Sequence, residues 1–97
     1  MVKDLKYDQL FEEYKSLLTE KQQEVFYLYY RLDLSLGEIK EIKNISRQGV
    51  LDTVNKVCKL LDEYEEKLHL LYKKTQVLSK LEKLDDAKLK EEIIKIL

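Results

Sequence analysis

Two helix-start signals that lie eleven residues apart constrain this chain more than any other feature. Ser35 is followed three residues later by Glu38, which makes a capping box: the serine hydroxyl and the glutamate carboxylate each accept a hydrogen bond from a backbone N–H at the helix start. A second cap residue, Ser46, follows the break at Lys43–Asn44–Ile45. Between the two caps there is room for a helix of about two turns and a turn of about three or four residues, which is the size of a helix-turn-helix motif.

The second helix of such a motif enters the major groove of DNA. Here it begins at Arg47, and its apolar stripe of Val50, Val54 and Val57 leaves polar side chains on the opposite face. Arg, Gln and Asn form bidentate contacts with base edges, and Lys neutralises phosphate. We therefore predict Arg47, Gln48, Asp52 and Asn55 at base edges and Lys43, Lys56 and Lys59 at phosphates. The Asp52 carboxylate either accepts from cytosine or repels the DNA backbone.

The charge balance predicts that any binding to DNA is weak or conditional. The chain carries 18 basic and 19 acidic residues. Between Leu36 and Leu60 there are five basic side chains against three acidic ones, an excess of only two. Since binding to nucleic acid depends heavily on phosphate neutralisation, a strong DNA-binding protein normally has a more basic face.

The rest of the composition favours an all-α protein, since proline is absent and only two glycines occur in 97 residues. Apolar residues spaced three and four apart predict a first helix over about 4–18, and Thr19 with Gln22 forms a capping box for a second over about 20–32. The second helix is so apolar that we expect it at the centre of the domain. Its aromatic residues follow the helical stripe, which indicates core packing more strongly than a base-stacking platform.

From Val50 to Leu78 apolar residues repeat with steps of four and three, which is a heptad seam. The first half of this long helix closes the motif's core, but beyond Tyr64 only the final helix of the chain remains to cover it. We therefore predict a helix-turn-helix domain over residues 1–62 and a dimerisation arm over 63–97, because long apolar stripes do not stay exposed to water. The predicted dimer contacts are Tyr64, Leu68, Leu71, Tyr72 and Leu78.

A short terminal helix offers a competing cover for the same stripe. Asp85-Asp86 predicts its start, and its apolar residues either turn back onto the long helix or contact another protomer or a different protein. These residues are Leu89, Ile93, Ile94, Ile96 and Leu97.

Five segments carry a family resemblance: Leu18-Thr-Glu-Lys-Gln, Tyr29-Tyr, Ser35-Leu-Gly-Glu-Ile, Ile45-Ser-Arg-Gln and Leu61-Asp-Glu-Tyr-Glu-Glu-Lys-Leu. Together, over roughly Tyr7 to Tyr72, they resemble the YlxM-like family of small bacterial helix-turn-helix proteins. The same core is similar to the promoter-reading fourth region of bacterial sigma factors. The resemblance implies a cytoplasmic all-α protein that binds DNA and takes part in the signal recognition particle pathway.

Three residues depart from the family's pattern. Lys40 stands where the family has a small residue between the two motif helices, and Lys43 stands where it has an apolar one. Either Lys40 extends its stem to water, or the supporting helix is rotated so that Ile42 takes the inward place beside Ile39. Gly49 replaces the family's common alanine and weakens the first turn of the reading helix by roughly 1 kcal/mol.

The sequence predicts no catalytic residue, no metal and no cofactor. Glycine-rich phosphate loops, nucleophile elbows and zinc spacings are missing from it. Cys58 lies on an apolar helical face and is expected to be a buried structural thiol, and His69 has no companion ligands. No secretory signal and no apolar run of about 20 residues is visible, so we expect a cytoplasmic protein without a membrane span.

Two hypotheses follow from these observations. The first is a dimeric helix-turn-helix regulator or accessory factor that reads DNA with the helix beginning at Arg47. The second hypothesis has the same fold without DNA binding. The protein would be a dimeric, non-enzymatic adaptor of the targeting or translation machinery. This alternative stays open because the outer face of any surface helix is polar, whether or not it binds DNA.

Overall fold

A computed structural model describes residues 3–97, and this part of the chain is all-α, as predicted. It contains six α-helices and a single 3₁₀ turn, with no strand among the described residues. The elements are α1 (Leu5–Tyr14) with the 3₁₀ turn Lys15–Leu17, α2 (Glu20–Tyr30), α3 (Leu36–Lys43), α4 (Arg47–Leu68), α5 (Leu70–Leu81) and α6 (Ala87–Ile96).

Side-chain caps set the starts of the helices as the sequence predicts. The Thr19–Gln22 and Ser35–Glu38 capping boxes are both formed, with each hydroxyl accepting from a backbone N–H at 3.1 Å. Ser46 caps α4 and accepts from the Gly49 N–H at 2.9 Å. The predicted break before the terminal helix is also confirmed, because Asp86 caps α6.

The long helix α4 is the centre of the fold, the place expected for α2, because α4 packs against α1, α2, α3 and α5. One face of its first four turns, consisting of Val50, Val54, Val57 and Leu61, is fully buried. Two apolar clusters lie along this face. The first cluster joins α1, α2 and α4, and consists of Leu10, Phe11, Tyr14, Leu18, Phe26, Val57 and Leu61. The second cluster joins α2, α3 and α4, and consists of Val25, Tyr29, Ile39, Val50 and Val54.

Three of the four aromatic residues of α2, Phe26, Tyr29 and Tyr30, pack in this core as expected, whereas Tyr27 is 46% exposed. The Phe26 ring stacks on Phe11 with a centroid distance of 4.7 Å and on Tyr30 at 4.3 Å. Helix α2 therefore contacts α4 on one side and α3 on another, which accounts for its small polar surface.

The predicted seam is interrupted at His69. Helix α4 ends at Leu68, His69 adopts a left-handed conformation with φ of 55°, and α5 begins at Leu70. Helix α5 then packs against α1, with Leu71 resting on the first cluster. The expectation that only the terminal helix remains to cover the stripe beyond Tyr64 is thus corrected, because α1 of the same chain covers part of it. Within residues 3–97, no helix is both long and apolar enough to cross a membrane.

Candidate nucleic-acid interface

Helices α3 and α4 form the predicted helix-turn-helix. Lys43 is the last residue of α3, and Asn44 turns the chain with φ of 53°, a left-handed conformation that Asn tolerates better than most residues. The chain then reaches the cap Ser46 and begins α4 at Arg47. The sharp bend near Asn44 and the new start at Arg47 are both confirmed.

The packing of α3 decides between the two orientations that the sequence allows. Ile39 is fully buried, Lys40 is exposed, and Ile42 is 58% exposed. The inward place predicted for Ile42 is therefore wrong, and Lys40 lies in water. The reason is helical geometry: residues three and seven positions after Leu36 share its face, which points Ile39 and Lys43 toward the body of the protein.

Lys43 is consequently half-buried, and its ammonium forms an ion pair with Glu24 of α2. This residue was predicted to contact phosphate. In the structure its charge is already matched by a carboxylate, so a contact with DNA would compete with the ion pair.

The outer face of α4 is exposed to solvent. Four buried or half-buried side chains, Val50, Leu51, Val54 and Val57, attach the helix to the body. Between Arg47 and Lys59 the exposed residues are the six named from the spacing: Arg47, Gln48, Asp52, Asn55, Lys56 and Lys59. Their exposure leaves their polar groups available to a ligand.

Two of these residues lie close to neighbours within the motif. Gln48 Nε2 donates to Asp52 Oδ1 at 2.8 Å, one helical turn further along α4. The Arg47 guanidinium lies over the first turn of α3, so close that a β-carbon at Gly37 would be 2.9 Å from one of its nitrogens. The missing side chain of Gly37 thus provides the space that Arg47 occupies.

Several cations around the motif have no acidic partner. In the described part of the chain, Lys40, Arg47, Lys56 and Lys59 take no part in any ion pair, whereas lysines and the arginine around α1 do. Unpaired cations bind phosphate without first breaking a salt bridge, so the motif has more available positive charge than the surroundings of α1.

The start of α2 also borders this face, which the sequence did not indicate. A groove of about 290 Å³ separates Thr19, Lys21 and Gln22 from Asp52, Thr53 and Lys56. More than 25 residues separate the two walls along the chain, so no local spacing could have revealed it.

The predicted dimer contacts divide into two groups. Tyr64 and Leu71 are half-buried against the first cluster of their own chain. Leu68, Tyr72 and Leu78 are exposed, with Tyr72 at 61%. The exposed group alone is free to contact a second molecule.

Comparison with known proteins places this geometry in a family. A family model described as "putative helix-turn-helix protein, YlxM / p13 like" matches residues 1–97. This description names a helix-turn-helix protein and not an enzyme.

Individual proteins are also similar to this chain in sequence. A UPF0122 protein of Caldanaerobacter subterraneus is 48% identical over 77 residues, which cover 79% of this chain and 66% of the relative. One of a Thermoanaerobacter species is 47% identical over 77% of this chain and 64% of its own length. The chain therefore spans just under two thirds of these two relatives. Another, of Halalkalibacterium halodurans, is 44% identical over 98% of this chain and 91% of the relative.

Proposed function

Because the chain belongs to the YlxM/p13-like family of helix-turn-helix proteins, we propose that it binds double-stranded DNA and acts as a regulatory or accessory factor. The first turns of α4 enter the major groove, and α3 braces them from behind. The observation that carries this proposal is the outer face of α4, where exposed polar residues begin directly at the cap Ser46.

The residues of this face have distinct roles in the proposal. Gln48 and Asn55 approach base edges, while Arg47 reaches either a base or the adjacent phosphate from its place over Gly37. Lys56 and Lys59 neutralise phosphates, and Lys40 joins them because it is exposed and free of ion pairs. Lys43 contributes only when its ion pair with Glu24 opens.

The proposed binding is weak for a single protomer. The net charge of the chain is −1, so long-range attraction to DNA is missing and affinity depends on the few cations beside α4. A two-fold dimer would double the number of phosphate contacts. We propose that the arm formed by α5 and α6 supports such a dimer, because large apolar side chains such as Tyr72 and Ile94 are exposed there.

A role in the signal recognition particle pathway is the further proposal that follows from the family resemblance. It needs a protein partner, and the exposed apolar side chains of the arm are the surface available to one. Co-purification with components of that pathway before and after DNase treatment tests it, since a partner bridged only by DNA is lost on digestion.

DNA binding is tested by titrating fluorescent duplex DNA of random sequence at a series of salt concentrations, followed by selection of preferred duplexes from a random library. We expect affinity to fall steeply with salt, because phosphate contacts release counterions. The double variant Arg47→Ala, Gln48→Ala should lose sequence preference. A matched control is Gln76→Ala, Lys80→Ala, which removes an amide and a cation from the exposed face of α5.

Two outcomes would contradict the proposal. If no duplex binds at low salt, the adaptor without DNA becomes the better description. If the double variant keeps the sequence preference of the wild type, the reading face is not the start of α4.

A further inference from the structure

The pair Gln48 and Asp52 carries more information than either residue alone. Both are exposed on α4, four positions apart, and the Gln48 amide nitrogen lies 2.8 Å from a carboxylate oxygen of Asp52. Side chains at this spacing occupy the same face of a helix, and Gln with Asp is a favourable pair there. The hydrogen bond favours one orientation of an otherwise flexible amide before any ligand arrives.

The chemistry of the pair fixes the direction of the amide. An ionised carboxylate only accepts hydrogen bonds, so Gln48 has to present its N–H₂ group to Asp52. Rotation of the amide by a half turn would bring its carbonyl oxygen against a negative oxygen. The amide therefore offers its oxygen and its second N–H to the outside in one fixed order.

Only one base matches that order. In the major groove adenine shows an acceptor, N7, beside a donor, the N6 amino group, and an amide pairs with both. Guanine shows two acceptors, thymine an acceptor beside a methyl group, and cytosine a donor alone. An amide with a fixed donor and a fixed acceptor therefore discriminates in favour of adenine.

We propose that Asp52 is a positioning residue that orients the Gln48 amide to read adenine, and that Asp52 itself does not read a base. This inference rests on the proposed DNA binding by α4. It replaces the two roles that the sequence left open for Asp52, a contact with cytosine or plain repulsion of the backbone.

The same carboxylate carries a negative charge toward the DNA phosphates. Asp52 therefore lowers affinity for every duplex while it raises the preference for one base. If Asp52 only stabilised α4, its substitution would not raise the affinity for every duplex while lowering the preference for one base. The two effects have opposite signs, which makes the proposal testable with a single substitution.

The test uses Asp52→Asn in the full chain. An asparagine both donates and accepts, so the amide of Gln48 can face it in either direction. Duplexes selected by the wild type are mutated at each position, and equilibrium binding is measured for all four bases. We expect the wild type to prefer adenine about tenfold or more at one position, and the variant to prefer it about threefold or less. Affinity of the variant for random duplex should rise about two- to threefold.

Three controls separate positioning from other effects. Glu66→Gln removes one negative charge from an exposed site near the far end of α4 and should leave the adenine preference unchanged. In a Gln48→Ala background, Asp52→Asn should no longer alter the preference at that position. Circular dichroism and thermal unfolding of each variant show whether α4 remains folded.

Two results would overturn this inference alone, and a third would overturn the proposed function as well. The inference is overturned if Asp52→Asn keeps the full adenine preference, or if no position of the wild-type site depends on Gln48 for an adenine. DNA binding itself survives both of these results. If no duplex binds the wild type at low salt, the proposed function and this inference fall together.

Discussion

The hydroxyl of Tyr14 donates to a carboxylate oxygen of Glu65 at 2.5 Å, which joins α1 to the last turns of α4. Both groups also accept from the start of α5: Tyr14 from the Leu70 N–H at 3.0 Å, and Glu65 from the N–H groups of Leu71 and Tyr72 at 3.1 and 3.0 Å. His69, the residue before α5, offers no side-chain cap. The cap of α5 is therefore supplied by two other helices, and this explains why the chain turns at His69.

Loss of this pair should destabilise the fold. Glu65→Ala leaves two backbone N–H groups without their acceptor, and we expect the free energy of unfolding to fall by about 1–3 kcal/mol in urea titrations. Tyr14→Phe keeps the buried ring but removes the hydroxyl that donates to Glu65 and accepts from the Leu70 N–H, so its cost should also be about 1–3 kcal/mol. Glu66→Ala, one residue further on the exposed side, is the control and should change stability by less than about 0.5 kcal/mol. Equal losses for Glu65 and Glu66 would show that the cap does not hold α5.

A substitution at Gly37 should raise the stability of the fold and weaken DNA binding. Its φ is negative and it lies within α3, so Gly37→Ala should raise the free energy of unfolding by about 0.5–1 kcal/mol. The new β-carbon would lie 2.9 Å from a nitrogen of the Arg47 guanidinium and so displace it, and with Arg47 moved away from the motif we expect the protein to bind DNA about two- to tenfold more weakly. In an Arg47→Ala background the substitution should no longer affect DNA binding. A loss that persists there would mean that Gly37 acts by another route.

The lysines of α4 should contribute to the salt dependence of the affinity for DNA. Removal of one phosphate contact lowers the slope of log affinity against log salt by about 0.9. We expect Lys56→Ala and Lys59→Ala each to produce this change, because both side chains are exposed on the outer face of α4. Lys73→Ala removes an equally exposed cation from α5 and should leave the slope as it is. The assignment fails if all three variants behave alike.

Alkaline pH should weaken the contact between α1 and α4. Tyr7 donates to Asp62 at 2.8 Å, and this hydrogen bond, together with burial, raises the pKa of Tyr7 to about 12. In the unfolded chain the pKa is about 10, so the folded state holds the proton more tightly. The stabilisation is complete below pH 10 and is lost as pH rises from 10 through 12. Tyr7→Phe and Asp62→Asn should each flatten the decline in urea midpoint over this range, and a decline as steep as that of the wild type would exclude Tyr7 as its source.

In the arm formed by α5 and α6, Leu71 should affect folding and Tyr72 should affect association between protomers. Leu71 packs on the first cluster, so Leu71→Ala should lower the free energy of unfolding by about 1–2 kcal/mol. Tyr72 is exposed, so Tyr72→Lys should preserve stability and shift a dimer toward monomer in sedimentation equilibrium. A wild-type protein that sediments as a monomer at micromolar concentration would contradict the proposed dimer.

Much of the fold follows from local interactions that can be read in the chain. The caps Thr19, Ser35, Ser46 and Asp86 each accept from the backbone N–H three residues further on, and such short-range signals depend little on the rest of the molecule. The exposed face of α4 follows in the same way from the spacing of Val50, Val54 and Val57. The hydrogen bond between Gln48 and Asp52 also has a helical spacing, since the two residues lie four positions apart on α4.

The features of the fold that local patterns did not predict depend on contacts between residues distant along the chain. The sequence by itself determined where helices begin and which side of α4 is buried, because these depend on neighbours within about two helical turns. Only the tertiary structure decided that the chain turns at His69 and that Lys43 pairs with Glu24. In both cases the decisive partner comes from another helix, 19 residues away along the chain for Lys43 and 51 for the Tyr14–Glu65 pair that holds α5. A pattern in one helix carries no record of such a partner, since its position depends on how the helices pack.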